Sequence, residues 1–229
     1  MVVAVIAYII AGYLYQAYRR EKILIIYYFS CFYAYLGLFF LLVSFPLVSS
    51  NGYVIGFFNA VGFLFLFVAL AYISFVSLSL LKWGEMAMVS FYFCILFGLF
   101  CFTVRLFYFS PSVSEVDNYF INWRPVFLPW LRSFTGFYAL VIGVTTVIIF
   151  IMYGFRQKDN VVVFRRSLII GAGLSLLSAA AVVGLLLSPY GQFKGELAGS
   201  IITILALLTV LRGITYRRAV ADNIIESKT

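Results

Sequence analysis

Histidine is absent from all 229 residues, and only 10% of them are charged. The first absence excludes bis-histidine haem ligation, histidine-ligated zinc and histidine-based acid–base catalysis. The second excludes a water-facing surface, because a soluble domain carries about a quarter charged residues. With 65% of its residues hydrophobic, the chain must use lipid as its solvent. Carboxylates are scarce and peripheral. Glu21, Glu85, Glu115, Asp117, Asp159, Glu196, Asp222 and Glu226 all fall in loops, at segment ends or in the tail. Ion-coupled transporters and intramembrane aspartyl proteases need such groups inside the membrane, so both classes are excluded. The last apolar segment, ELAGSIITILALLTVLRGITY, holds no mid-helix lysine for a retinal Schiff base. Cys31, Cys94 and Cys101 lie inside apolar segments, which argues for buried thiols and against a disulfide framework. With no nucleophile–base pair and no metal cluster, the chain is expected to be non-enzymatic and to use no cofactor.

What is present is apolar sequence in membrane-sized lengths. A hydrocarbon core of about 30 Å needs roughly 20 apolar residues per helix. Seven segments meet this, at about 2–18, 23–47, 53–81, 87–109, 134–155, 167–187 and 197–216. The opening MVVAVIAYIIAGYLYQAY lacks a positive leader and a small-residue cleavage site, so it reads as the first membrane helix. The expected fold is therefore all-α. It is a polytopic seven-helix bundle over 1–216, with an outer loop at 110–133 and a short cytoplasmic tail at 217–229. No internal repeat divides it into two halves.

Orientation follows from the basic residues. One set of loops and the tail hold Arg19, Arg20, Lys22, Lys82, Arg156, Lys158, Arg165, Arg166, Arg212, Arg217, Arg218 and Lys228. The opposite side holds Arg105, Arg124, Arg132 and Lys194. Basic loops face the cytoplasm, so the N-terminus is expected outside and the C-terminus inside a cell membrane. The net charge of +8 reflects this asymmetry and contact with anionic lipid, with no nucleic-acid partner implied.

Small residues mark expected packing faces. Gly171, Ser175 and Ala179 recur every four residues in the sixth helix, with Ala180 and Gly184 alongside. Such stripes let helix backbones approach closely in lipid. Helices six and seven are accordingly expected inside the bundle, and the Phe-, Leu- and Tyr-rich helices two to four on its lipid surface.

Candidate ligand residues come from polar groups at depth and from the outer loop. Arg105, in CFTVRLFYF, either snorkels to the headgroups or faces inward to meet an anion or a loop carboxylate such as Glu115 or Asp117. The loop carries Trp123, Arg124, Trp130 and Arg132, either as an interfacial belt or as a cap over an outward cavity. Tyr33 and Tyr72 sit deep and need hydrogen-bond partners, for which Asn59 and nearby hydroxyls are available. Those polar groups either join helices or line a pocket. In the tail, Leu211, Ile214, Arg218, Ala221 and Ile225 are spaced as along a coiled-coil seam, beside Arg217. This seam either docks a partner or only anchors the chain at the headgroups.

The RREK that follows helix one, the LLVSFPLV ending of helix two and helix seven running into YRRAV carry a resemblance. The layout resembles the seven-helix membrane modules at the front of many prokaryotic sensor kinases and related signalling proteins. The resemblance implies a receptor-like module that senses a small ligand or lipid. No kinase, cyclase or phosphatase sequence follows helix seven, so the chain is expected to be either a stand-alone module acting through a separate partner or a fragment, with a protein partner or a homo-oligomer expected. A channel, an uncoupled carrier and a structural subunit of a larger membrane complex are the alternatives.

Overall fold

A computed structural model describes residues 1–45, 48–117, 120–124, 128–183 and 192–226. Within 114–124, 192–196 and 217–226 the description covers the backbone alone. The helices are α1 (Val2–Glu21), α2 (Leu24–Val43), α3 (Gly52–Leu80), α4 (Gly84–Phe107), α5 (Pro129–Arg156), α6 (Val161–Val182) and α7 (Gln192–Glu226). All seven contain a stretch long and apolar enough to cross a membrane, that of α7 being Leu197–Tyr216.

Consecutive helices pack together along two runs, α1 to α4 and α5 to α7. Contacts of α3 with α5 and of α1 with α7 join the runs, leaving α4 outside the ring they close. The helix with the most buried apolar window is α3, at 44% against 22% for α4. This reverses the expectation that α3 belongs to the lipid surface. The reason lies in its composition. Gly56, Ala60, Gly62, Ala69 and Ala71 are buried between its aromatic residues and admit neighbours on several sides. Helix α4 does face outward, showing Met86, Val89, Phe93, Leu96 and Phe100. Its buried residues are Ala87, Cys94, Gly98, Cys101 and Arg105, a narrow seam at near-heptad spacing.

Helices α4, α5, α6 and α7 all start earlier than expected. Pro129 opens α5 because its missing N–H costs nothing in the first turn. Asn160 caps α6, its side chain accepting from Val163 N at 3.2 Å. Helix α2 stops at Val43, before Pro46, which lies outside the described residues. Helix α7 continues to Glu226, so most of the expected tail is helical backbone. Its membrane part brings Ile214 of the seam into the core.

The expected outer loop contains an antiparallel hairpin, an addition to the all-α class. Its strands are β1 (Val113–Asp117) and β2 (Phe120–Arg124), with Val113 opposite Arg124 and Asp117 opposite Phe120. Valine, isoleucine and aromatic residues favour this pleated pairing. The hairpin is tethered at its entry, where Ser112 N donates to Gly52 O at 2.9 Å. A Cβ on Gly52 would stand 2.5 Å from Ser112 O, so only glycine admits this crossing.

Close backbone approach sets the α6–α7 pair. A Cβ on Gly173 would lie 2.6 Å from Val210, and one on Gly213 2.5 Å from Ile170. The expected packing stripe is only partly used. Gly171 is buried, packing against Ile151 of α5, and Ala180 is buried too. Ser175 and Ala179 face outward, because α7 meets the Gly173 side of α6 instead. Gly184 lies outside the described residues. Gly213→Ala is expected to lower the melting midpoint of the detergent-solubilised protein, at a cost of about 1–3 kcal/mol from overpacking. Gly12→Ala, with nothing within 4 Å of the new methyl, is the control and should not destabilise.

Candidate functional site

The second turn of α3, the last turn of α4 and the first turns of α5 meet in a wedge. Arg105 lies on the buried seam of α4 and keeps only 7% of its surface exposed. Its Nη2 donates to Asn59 Oδ1 of α3 at 2.7 Å. The guanidinium carbon lies 5.5 Å from the centroid of the Phe63 ring, one helical turn further along α3. Carbonyl acceptor and aromatic face both suit a desolvated cation. Of the two readings of Arg105, the geometry selects the inward one. The pairing also assigns Asn59 to the arginine and not to a buried tyrosine.

Beside the guanidinium is a cavity of about 10 Å³, the space one water needs. Phe63 and Phe67 of α3, Gly98 and Cys101 of α4, and Leu131 and Thr135 of α5 contribute to its wall together with Arg105. Gly98 lets α4 approach Phe67, to which a Cβ there would come within 2.6 Å. Thr135 Oγ1 faces Cys101 Sγ at 3.8 Å, and Tyr138 Oη faces Cys94 Sγ at 3.5 Å. Both thiols of α4 thus turn toward hydroxyls of α5. Among the described residues no group of three His, Cys, Asp or Glu could hold a metal.

The other expected site residues do not join this wedge. Tyr33 is completely buried and donates from its hydroxyl to Leu207 O of α7 at 2.8 Å, joining helices across the bundle. Tyr72 lies in an aromatic run, 5.6 Å from Tyr35 and 5.2 Å from Phe91 between ring centroids. From Asn59 to Tyr72, α3 rises about 20 Å, so these two serve different parts of the bundle. Trp130 is exposed and Arg132 half-buried, flanking Leu131 on α5 without lining the cavity. The side chains of Trp123 and Arg124 lie outside the described residues, as do those of Arg217, Arg218, Ala221 and Ile225. The sequence reading missed Phe63, Gly98, Cys101 and Thr135. The near-heptad spacing of Cys94, Gly98, Cys101 and Arg105 was the signal available for the α4 members.

The fold and composition define a multi-pass helical membrane protein. Compared with known proteins, the chain matches no family model and no curated protein.

Asn59→Leu should destabilise the solubilised protein by about 1.5–3 kcal/mol, because it deprives a buried charged donor of one acceptor. Adding Arg105→Met should restore part of that loss, and the unfolding free energies of the four variants in this cycle measure the coupling. Additive losses would show that the two side chains do not act as a pair. Tyr33→Phe is expected to cost about 0.6–1.7 kcal/mol, the range for one hydrogen bond between membrane helices.

Proposed function

We propose that the chain is a non-enzymatic, receptor-like membrane module that acts through a separate protein or a second copy of itself. The observation that carries this reading is the wedge. Arg105 and Asn59 link the least buried helix, α4, to the most buried one, α3, beside a small cavity shared with α5. A ligand that interacts differently with the docked and displaced positions of α4 shifts the balance between them by that difference. The basic asymmetry supports an outside N-terminus and a cytoplasmic C-terminus in the cell membrane. In that orientation the wedge opens toward the outside, and the end of α7 with Arg217, Arg218, Ala221 and Ile225 is the docking element inside.

The filled core counts against a channel built from one chain. Tyr33, Phe29, Phe32, Phe67 and Leu14 are each less than 2% exposed along the bundle interior. A second reading, a subunit of a larger membrane assembly, is favoured by the outward-facing Ser175 and Ala179 of α6. Small residues at such positions suit contact with another membrane helix.

The test is purification from native membranes in mild detergent with mass spectrometry of what accompanies the chain. The expected result is a stoichiometric protein partner that is lost when residues 217–229 are deleted. A particle holding only this chain and lipid, with ion flux after reconstitution, would sink the receptor-like reading. Partner retention by the truncated chain would favour the assembly subunit.

A further inference from the structure

We infer that the half-exposed phenols around Cys31 form a lateral site for the ring of a lipid-soluble quinone, entered from the bilayer. The inference deepens the receptor-like reading by naming a ligand class. As a signal it rests on that reading, whereas the binding itself rests on the side chains of α2 and α3 alone.

Acceptors are short in this part of the bundle. A phenol at membrane depth needs a hydrogen-bond partner, and Tyr33 has one in the carbonyl of Leu207. Among the described residues, the hydroxyls of Tyr27 and Tyr72 share one partner, the thiol of Cys31, which is a weak acceptor. The Tyr35 hydroxyl has none there. Tyr35 lies about 16 Å along α2 from Leu24, and Tyr72 about 12 Å from the Leu80 end of α3. At that depth hydrocarbon supplies no acceptor either. Tyr27, Cys31 and Tyr35 are spaced four residues apart on one face of α2, and Tyr72 of α3 closes on that face. All four are half-exposed, so the group is open to the bilayer from the side. Its rings offer a flat seat. Tyr35 and Tyr72 are within 12° of parallel with centroids 5.6 Å apart, and Phe65 continues the set at 15° and 6.0 Å from Tyr35.

The chemistry of the group selects the ligand. It must arrive through lipid, so it is uncharged and largely apolar. It must bring acceptors to hydroxyls that have a thiol or nothing, and a ring-borne carbonyl oxygen, with two lone pairs, is a far better acceptor than sulfur. It must also lie flat against nearly parallel rings. A quinone meets all three demands, because its carbonyls lie in the plane of an electron-poor ring that stacks on electron-rich phenols. A sterol offers one hydroxyl and a puckered, methyl-studded body, and a fatty acid carries a charge that belongs at the headgroups. The site also reaches the least buried helix. Phe91 of α4 stands edge-on to Tyr72 at 5.2 Å and to Phe75 at 6.0 Å, so a ring seated on Tyr72 bears on how α4 packs against α3.

The experiment is a melting series of the full chain in nonionic detergent with decylubiquinone, whose fully substituted ring leaves the thiol no vacant carbon to add to. The expected outcome is a saturable rise of a few degrees. Decylbenzene, with the same tail and no carbonyl, should give no saturable response. Tyr72→Phe keeps the ring and removes the donor, and should raise the half-saturating mole fraction of quinone about fivefold, as for one lost hydrogen bond. Tyr138→Phe, outside the group, should leave it unchanged. Equal responses to decylubiquinone and decylbenzene mean that the face holds hydrocarbon alone and overturn the inference. A saturable response to cholesterol with the same dependence on Tyr72 overturns the quinone assignment. If Tyr72→Phe does not fold, Tyr27→Phe decides, and an unchanged half-saturating mole fraction overturns the inference equally. Saturable quinone binding by a chain that has no protein partner would retain the site while removing its receptor role.

Discussion

In hydrocarbon no water is present to satisfy a peptide group, so each backbone N–H and C=O in the membrane must find its partner within the protein. That constraint makes the spanning elements helical and leaves side-chain packing to decide how the helices meet. Apolar side chains gain little by leaving lipid for one another, so close contact must come from van der Waals fit and from a few polar bonds. The arrangement of this bundle follows from where glycine and alanine permit that fit. Gly173 and Gly213 bring α6 and α7 together, Gly98 sets α4 against Phe67, and the small residues of α3 admit neighbours on several sides.

The polar groups divide into two kinds by what they reach. Tyr33 donates to the carbonyl of Leu207, and Ser30 to the carbonyl of Ala11 at 2.9 Å. Both tie one helix to the backbone of another and are satisfied by the fold itself. Arg105 differs in carrying charge, and a buried charge is expensive unless its surroundings compensate. Asn59 meets it with a carbonyl dipole and Phe63 with a ring face, beside a small cavity. A charged donor, a neutral anchor and an adjacent space are what separate this place from ordinary interhelical glue.

Much of the fold was legible because the solvent imposes it. Seven apolar runs of membrane length mapped onto seven helices, and most of their ends fell within a few residues of expectation. The larger departures have local causes. Helix five was expected from residue 134, although the first position of a helix tolerates proline and Pro129 opens α5. Helix six was expected from residue 167, whereas Asn160 is a cap that begins α6. The hairpin at 113–124 was hidden because two five-residue strands give a weak signal beside charged and proline-rich sequence. In the candidate site, Arg105 and Asn59 were each singled out, but not as partners. They are separated by 46 positions, and nothing in the local pattern of either helix reports which face of α4 meets which face of α3.

The sequence by itself determined the solvent, the number of spanning helices and the chemistry available to them. Those depend on composition and on lengths set by the bilayer, and both are readable residue by residue. Only the tertiary structure decided that α3 is the most buried helix and α4 the least, that Ser175 and Ala179 face outward, and that Arg105 turns toward Asn59 beside a cavity. Each of these depends on the rotation of one helix against another. In a chain whose helices are apolar on nearly every face, no amphipathic stripe specifies that rotation. It emerges from the joint fit of glycine gaps, aromatic rings and a few hydrogen bonds contributed by residues far apart in the chain.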